Sequence, residues 1–108
     1  MKRLLLDHCV PRRVRQALAG CEVATAYQRG WAEFKNGSLL EAAARDGFDV
    51  LLTADKNLRY QQRLAHRHIA IVELPANSRP VLLPHFAAIG DAVDRARPGD
   101  YIELSFPP

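Results

Sequence analysis

The fold is decided by two short stretches of the sequence, Arg3-Leu4-Leu5-Leu6-Asp7 and Val50-Leu51-Leu52-Thr53-Ala54-Asp55. Each contains a run of apolar residues and ends at an aspartate. Apolar runs without polar alternation are typical of strands that are buried on both faces of a parallel sheet. The sequence therefore predicts two buried strands, each with an aspartate at its carboxyl end.

Strand and helix patterns alternate along the rest of the chain. Further strands are expected at residues 22–26, 69–72 and 101–104. Helices are expected from Pro11 to a stop at Gly20, and at residues 36–46, 58–65 and 81–96. Alternation of this kind predicts an α/β fold, because a helix connects each strand to the next parallel one. We expect one domain over residues 1–108, a three-layer sandwich with a mostly parallel central sheet of about five strands.

Composition narrows the class of protein. The chain has 108 residues, of which 48% are hydrophobic and 25% are charged. No apolar run approaches the roughly 20 residues of a membrane-spanning helix, and the first one stops at Asp7, too early for a signal peptide. We therefore expect a cytoplasmic protein that does not enter a membrane. Cys9 and Cys21 have no metal-ligand spacing and are expected to pack as small hydrophobes.

The aspartates at the strand ends are the first candidates for a functional site. In open α/β sheets the functional crevice lies beyond the carboxyl ends of the strands. If Asp7 and Asp55 meet there, their mutual repulsion favours a cation between them, and oxygen ligands suit Mg²⁺ or Mn²⁺. The alternative is structural, because an aspartate after a strand often caps the following helix or closes a turn.

Three motifs, read in order, resemble those of a known family. They are residues 4–11 (LLLDHCVP), 36–47 (NGSLLEAAARDG) and 50–58 (VLLTADKNL). Together they span much of the chain and resemble the small PIN-like proteins, which are related to VapC-type toxin ribonucleases. The third motif, an apolar strand followed by Thr, any residue and Asp, is the most specific of the three.

The resemblance implies a PIN-like fold and a metal-dependent endoribonuclease. It implies Mg²⁺ or Mn²⁺ as cofactor, RNA as substrate, and a role as the toxin of a toxin–antitoxin pair with a small antitoxin protein as partner. A homodimer is a further option. Asp7 and Asp55 would be the catalytic residues and, with Asn36 and Asn57, the metal ligands. The family has acids where this chain has the two asparagines, so a catalytically impaired module that binds RNA or a protein is the second hypothesis.

Basic residues are the candidates for binding RNA. The formal charge of +3 and the pI of about 9.2 favour polyanionic partners. Arg12 and Arg13 lie at the start of the predicted first helix, close to Asp7, and Lys56 follows Asp55 directly. We expect these three side chains to contact phosphates. The alternative is a solvated helix face for the arginines and a turn residue for Lys56.

Four other residues have two interpretations. Trp31 and Phe34 form either a surface for stacking bases or docking a partner, or a loop that covers the edge of the core. His8 is either a proton-transfer group or metal ligand, or a packed or capping residue. Glu41 is either a third metal ligand or the acid of a capping box that begins at Ser38.

Overall fold

Five parallel strands form a single sheet in the order β2-β1-β3-β4-β5. The structure is a computed structural model that describes residues 2–34, 36–56 and 68–106, without the side chains of Asn36 and Arg79. The strands are β1 Arg3–Leu6, β2 Glu22–Thr25, β3 Val50–Thr53, β4 Ala70–Glu73 and β5 Tyr101–Glu103. Every pair of neighbours is parallel. The predicted α/β architecture and parallel sheet are confirmed.

The helices are α1 Asn36–Arg45, α2 Arg79–Leu82 and α3 Phe86–Arg95, with 3₁₀ segments at Arg12–Ala17 and Leu83–His85. The prediction of one helix over residues 81–96 was wrong, because Pro84 has no backbone N–H to donate and interrupts the α-helical pattern. The helix expected after Pro11 is instead a six-residue 3₁₀ segment in which Val14 alone is buried. The helix expected at residues 58–65 lies outside the described residues.

The sheet is covered on both faces, which explains its apolar strands. Alternate residues of a strand point to opposite faces. One face of the sheet packs against the first 3₁₀ segment and α3, through Leu4, Leu6, Val50, Leu52, Val14, Ile89 and Val93. The other face packs against α1, through Leu5, Leu51, Ile71, Leu39, Leu40 and Ala43. The three predicted layers are therefore present, and β1 and β3 lie in the middle of them.

Lys2 ties the end of α3 to the start of β1. Its ammonium group donates to the carbonyl oxygens of Val93, Asp94 and Ala96 at 2.7–2.9 Å. These carbonyls lie at the carboxyl end of the helix, where backbone acceptors lack helical partners and where a positive charge is favourable. The contact joins two segments that are more than 90 residues apart in sequence.

Within the described part of the chain, no helix has the length and apolar character that a bilayer crossing requires.

Gly90 allows α3 to pack closely against the first 3₁₀ segment. A Cβ atom at this position would lie 2.8 Å from the carbonyl oxygen of Ala17, which is far inside van der Waals contact. The neighbour is backbone and cannot move aside as the tip of a flexible side chain would. The closeness of the two segments therefore depends on the missing side chain.

We expect Gly90→Ala to lower the free energy of unfolding by about 1–3 kcal/mol, the usual cost of overpacking. In an exposed helix the same change would stabilise by about 1 kcal/mol, because alanine has the higher helix propensity. Urea unfolding followed by circular dichroism measures the difference. Gly20→Ala is the matched control, because a Cβ atom there meets nothing within 4 Å. A stabilised Gly90→Ala protein would contradict the close approach.

Candidate functional site at the carboxyl ends of β1 and β3

The strand order places the reversal of chain direction between β1 and β3. From β1 the chain continues to β2 on one side, and from β3 it continues to β4 on the other side. In open α/β sheets, ligands commonly bind beyond the carboxyl ends of two strands whose connections leave in opposite directions. Asp7 directly follows β1 and Asp55 follows β3 by two residues. The two aspartates therefore lie at the same end of the sheet, as the sequence predicted.

The Asp7 carboxylate is buried and held by hydrogen bonds. The residue is only 8% exposed. Its Oδ2 atom accepts a hydrogen bond of 2.7 Å from the Thr53 hydroxyl, and its Oδ1 atom accepts one of 2.7 Å from the backbone N–H of His8. Its own N–H donates to the carbonyl of Leu52 at 3.0 Å. These bonds fix the carboxylate in one orientation.

The helix-capping interpretation of Asp7 does not describe this geometry. Pro11, not Asp7, is the residue that precedes the first 3₁₀ segment, and no side chain caps that segment. The backbone carbonyl of Asp7 accepts from the N–H of Val10 at 3.1 Å, which closes a turn. The turn uses the main chain, so the carboxylate remains directed to Thr53 and His8.

Thr53 connects the two aspartates and was not predicted as a site residue. It is completely buried at the end of β3. While its hydroxyl donates to Asp7, the same oxygen accepts from the backbone N–H of Asp55 at 3.0 Å. One side chain thus positions the carboxylate of Asp7 and the main chain of Asp55. The sequence signalled it in two ways, as a single hydroxyl at the end of an otherwise apolar strand and as the threonine of the third motif.

A cleft of about 390 Å³ opens beside Asp7, and we call it the Asp7 cleft. Its polar lining comes from Asp7, His8, Arg12, Thr25, Tyr27 and Gln28. Arg12 therefore faces the cleft as well as solvent, whereas Arg13 is exposed and is not among the lining residues. Lys56 is exposed directly after Asp55. Both arginines belong to a 3₁₀ segment, so they do not begin an α-helix as the sequence predicted.

The structure does not describe the asparagine side chains that stand at the acid positions of the PIN-like motifs. Asn36 begins α1, but its side chain is not described, and Asn57 lies outside the described residues. Their predicted metal-binding roles stay predictions. Among residues 2–34, 36–56 and 68–106, no group of three or more His, Cys, Asp or Glu side chains has an arrangement that could hold a metal ion.

His8 joins the site to the loop that precedes α1. Its Nε2 atom lies 2.8 Å from the carbonyl oxygen of Phe34 and 3.9 Å from Oδ1 of Asp7. A neutral ring that donates from Nε2 to this carbonyl leaves Nδ1 as its acceptor. The ring thus contacts the loop before α1 while the residue stays exposed, and both of its predicted roles stay predictions.

The capping-box interpretation of Glu41 was wrong, and its role as a third metal ligand stays a prediction. Because α1 already begins at Asn36, Ser38 lies inside the helix and is not the capping residue. Glu41 is exposed on the helix and lies 3.9 Å from the guanidinium of Arg45, one turn further on. An exposed pair at this spacing contributes only about 0.3–0.5 kcal/mol.

Trp31 packs onto the core edge. Its ring meets that of Phe48 edge to face, with centroids 6.1 Å apart, and stacks on that of Phe34 with centroids 6.3 Å apart. The Arg29 guanidinium lies over the Trp31 ring and pairs with Asp46. These contacts favour the interpretation of a loop that covers the core.

Glu73 is a second buried polar residue that the sequence did not single out. It ends β4, is 1% exposed, and lies beside Thr53 in the register of the sheet. The Tyr101 hydroxyl donates to its Oε1 atom at 2.5 Å. Buried polar side chains therefore lie at the carboxyl ends of three adjacent strands, β1, β3 and β4. Register decides which of them meet, and register is not visible in the sequence.

The two cysteines are half-buried and pack against the core. Burial raises the pKa of the Cys9 thiol, and the nearby negative charge of Asp7 raises it further. Burial is also the main cause that raises the pKa of Cys21, with a smaller contribution from Asp94. Both thiols therefore stay protonated at neutral pH, which agrees with their predicted role as small hydrophobes.

Comparison with known proteins does not assign the chain to a family. No protein-family model, no curated protein and no solved structure matches it. The PIN-like resemblance therefore rests on the three sequence motifs alone.

We expect Thr53→Val to lower the free energy of unfolding at pH 7 by about 1–3 kcal/mol, because a buried carboxylate loses one of its donors. Valine has nearly the shape of threonine, so little of this loss should come from packing. Thr53→Ser keeps the hydroxyl and is the matched control for the hydrogen bond. Urea unfolding of the three proteins measures both effects. Equal stability of wild type and Thr53→Val would show that this hydroxyl does not hold Asp7.

Proposed function

We propose that this chain is a PIN-like endoribonuclease that depends on Mg²⁺ or Mn²⁺. The observation that carries the proposal is the buried, hydrogen-bonded Asp7 carboxylate at the carboxyl end of β1, which lines a cleft together with Arg12. A negative group for a cation and a positive group for a phosphate are thus offered in one cleft. Following the resemblance, we propose the toxin of a cytoplasmic toxin–antitoxin pair, with a small antitoxin and a second copy of the chain as candidate partners.

The donor set fits a hard divalent cation. Asp7 and Asp55 offer carboxylate oxygens, the ligand type that Mg²⁺ and Mn²⁺ prefer. Each Asp7 oxygen accepts one hydrogen bond from Thr53 or His8, and a carboxylate oxygen has a further lone pair for coordination. Mg²⁺ commonly uses one or two carboxylates and completes its shell with water and substrate phosphate. A protein cluster of three acids is therefore not required.

The protein's own groups have separate tasks in this proposal. Asp7 supplies a carboxylate that needs no reorganisation, because the donors from β3 and from His8 already orient it. Asp55 supplies the second carboxylate, and Arg12 binds a phosphate of the RNA backbone. When bound, the cation would lower the pKa of a water molecule and stabilise charge on the scissile phosphate.

A second candidate function is a PIN-like module that binds RNA or a protein partner without cleaving RNA. Two observations favour it. The described residues contain no group of three or more metal-binding side chains. The family's acid positions in the second and third motifs are Asn36 and Asn57, and an asparagine carbonyl offers no charge to a cation. Cleavage and metal binding decide between the two functions.

We expect slow cleavage of single-stranded RNA that requires added Mn²⁺ or Mg²⁺, stops with chelator, and is lost in Asp55→Asn. Two carboxylates hold the cation less firmly than the family's full set, so the rate should be low. Gel analysis of labelled RNA measures cleavage, and calorimetry with Mn²⁺ measures binding. Asn36→Asp combined with Asn57→Asp should bind the cation more tightly, because it restores charge.

Other outcomes of this experiment would contradict the proposed mechanism or favour the second function. Cleavage that persists in chelator or in Asp55→Asn would contradict the metal-dependent mechanism. Absence of cleavage with every metal, together with RNA binding or tight binding of a small protein, would establish the second function. Unchanged cation affinity in the double Asn-to-Asp variant would show that neither position faces the metal.

We expect Arg12 to contribute more to RNA binding than Arg13, because Arg12 lines the Asp7 cleft and Arg13 does not. Loss of one phosphate contact should flatten the slope of log K against log salt by about 0.7 for single strands. Arg12→Ala should show this change, and Arg13→Ala, which removes the same charge from the neighbouring position, is the matched control. Fluorescence anisotropy over a range of KCl concentrations measures both slopes. Equal slopes in the two variants would refute the placement of the phosphate in the cleft.

A further inference from the structure

Tyr27 is an aromatic side chain held at the mouth of the Asp7 cleft. It is 80% exposed, more than any other large apolar side chain in the described part of the chain. Single exposed apolar residues are ordinary on protein surfaces and need no function. Tyr27 differs because it lines the same cleft as Asp7 and Arg12.

The turn that carries Tyr27 is fixed by hydrogen bonds. The backbone N–H of Thr25 donates to the side-chain oxygen of Gln28 at 3.0 Å, and the N–H of Gln28 donates to the Thr25 hydroxyl at 3.0 Å. The buried neighbour Ala26 donates to the carbonyl of Leu6 at 3.0 Å and accepts from Trp31 at 2.9 Å. The backbone of Tyr27 is therefore tied to the sheet on both sides, while its ring faces solvent.

The three groups of the cleft match the three parts of an RNA strand. An exposed aromatic ring stacks on a base, a guanidinium binds a phosphate, and a carboxylate with its cation acts at the phosphodiester. Stacking on a pre-positioned ring loses little conformational entropy, because the turn is already ordered. In a duplex each base is stacked between its neighbours, so no base face would be free to stack on the Tyr27 ring.

We propose that Tyr27 is a stacking platform for one unpaired base of single-stranded RNA, with the adjoining phosphate on Arg12. The inference rests on the proposed function and specifies its substrate: an unpaired strand without a requirement for one base, because every base offers an aromatic face. Of the two aromatic residues that the sequence suggested for this role, Trp31 packs against Phe48, and Phe34 stacks on Trp31.

The test measures binding by the full chain in the presence of chelator, so that no RNA is cleaved. The probe is a fluorescein-labelled single strand of about ten nucleotides, within the usual site size of such proteins, and a blunt duplex of the same sequence is the comparison. Tyr27→Ala should bind the single strand about 5- to 150-fold more weakly, as expected for one lost base stack. Tyr27→Phe keeps the ring and should bind within about twofold of wild type.

Two further readouts separate stacking from a loss of fold or of charge. The salt slope of Tyr27→Ala should equal that of wild type, because no phosphate contact is removed. Its Tm should also be that of wild type, because the side chain is exposed. Duplex binding should be unchanged. The inference would be overturned if Tyr27→Ala bound the single strand as tightly as wild type does. It would also be overturned if the variant lost the same factor of affinity for the single strand and for the duplex.

The same experiment distinguishes this inference from the proposed function and from a free nucleotide as ligand. A wild-type protein that cleaves or binds RNA but does not respond to Tyr27→Ala would refute the stacking platform alone. A wild-type protein without any RNA binding would refute both. Displacement of the strand by a mononucleotide at a similar concentration would assign the cleft to a free nucleotide and overturn the choice of RNA.

Discussion

The hydrogen bond from the Thr53 hydroxyl to Asp7 is the interaction on which the candidate site depends. It spans from the end of β3 to the residue after β1 and lies where the two strands send the chain in opposite directions. The same oxygen accepts the N–H of Asp55. Because β1 and β3 are packed by helices on both faces, this contact has no freedom to shift without moving the core. The position of the carboxylate is thus set by two adjacent strands inside the sheet.

The sequence predicts the sheet well because its signal is local. The apolar runs at residues 4–6 and 50–52 exclude a strand with one solvated face, and alternation with helices makes the sheet parallel. The helices were predicted less well. A single proline, Pro84, divides one of them, and the segment at Arg12–Ala17 buries only Val14, which is too little to favour an α-helix over a 3₁₀ turn.

Only part of the candidate site could be predicted from the sequence, because some of its residues come together only through the pairing of strands and the geometry of turns. Aspartates that follow apolar strands are a pattern that can be read along the chain, so Asp7 and Asp55 were identified. Thr53 and Glu73 owe their positions to register across neighbouring strands, and Tyr27 owes its exposure to a turn held by Thr25 and Gln28. These contacts join residues from different segments, so they produce no periodic pattern in the sequence.

The charge of the cleft has a consequence for its chemistry. The contacts that orient the Asp7 carboxylate come from a hydroxyl and a backbone N–H, which are neutral donors. They fix its geometry without neutralising its charge, whereas an arginine in direct contact would have done both. Arg12 lines the same cleft but forms no ion pair with Asp7 among the described contacts. A ligand that brings both a cation and a phosphate would satisfy the two charges together, and Tyr27 adds an aromatic face to that pair. For this reason our proposal names a nucleic-acid strand as the ligand and not a simple anion, which would meet the charged carboxylate without a cation between them.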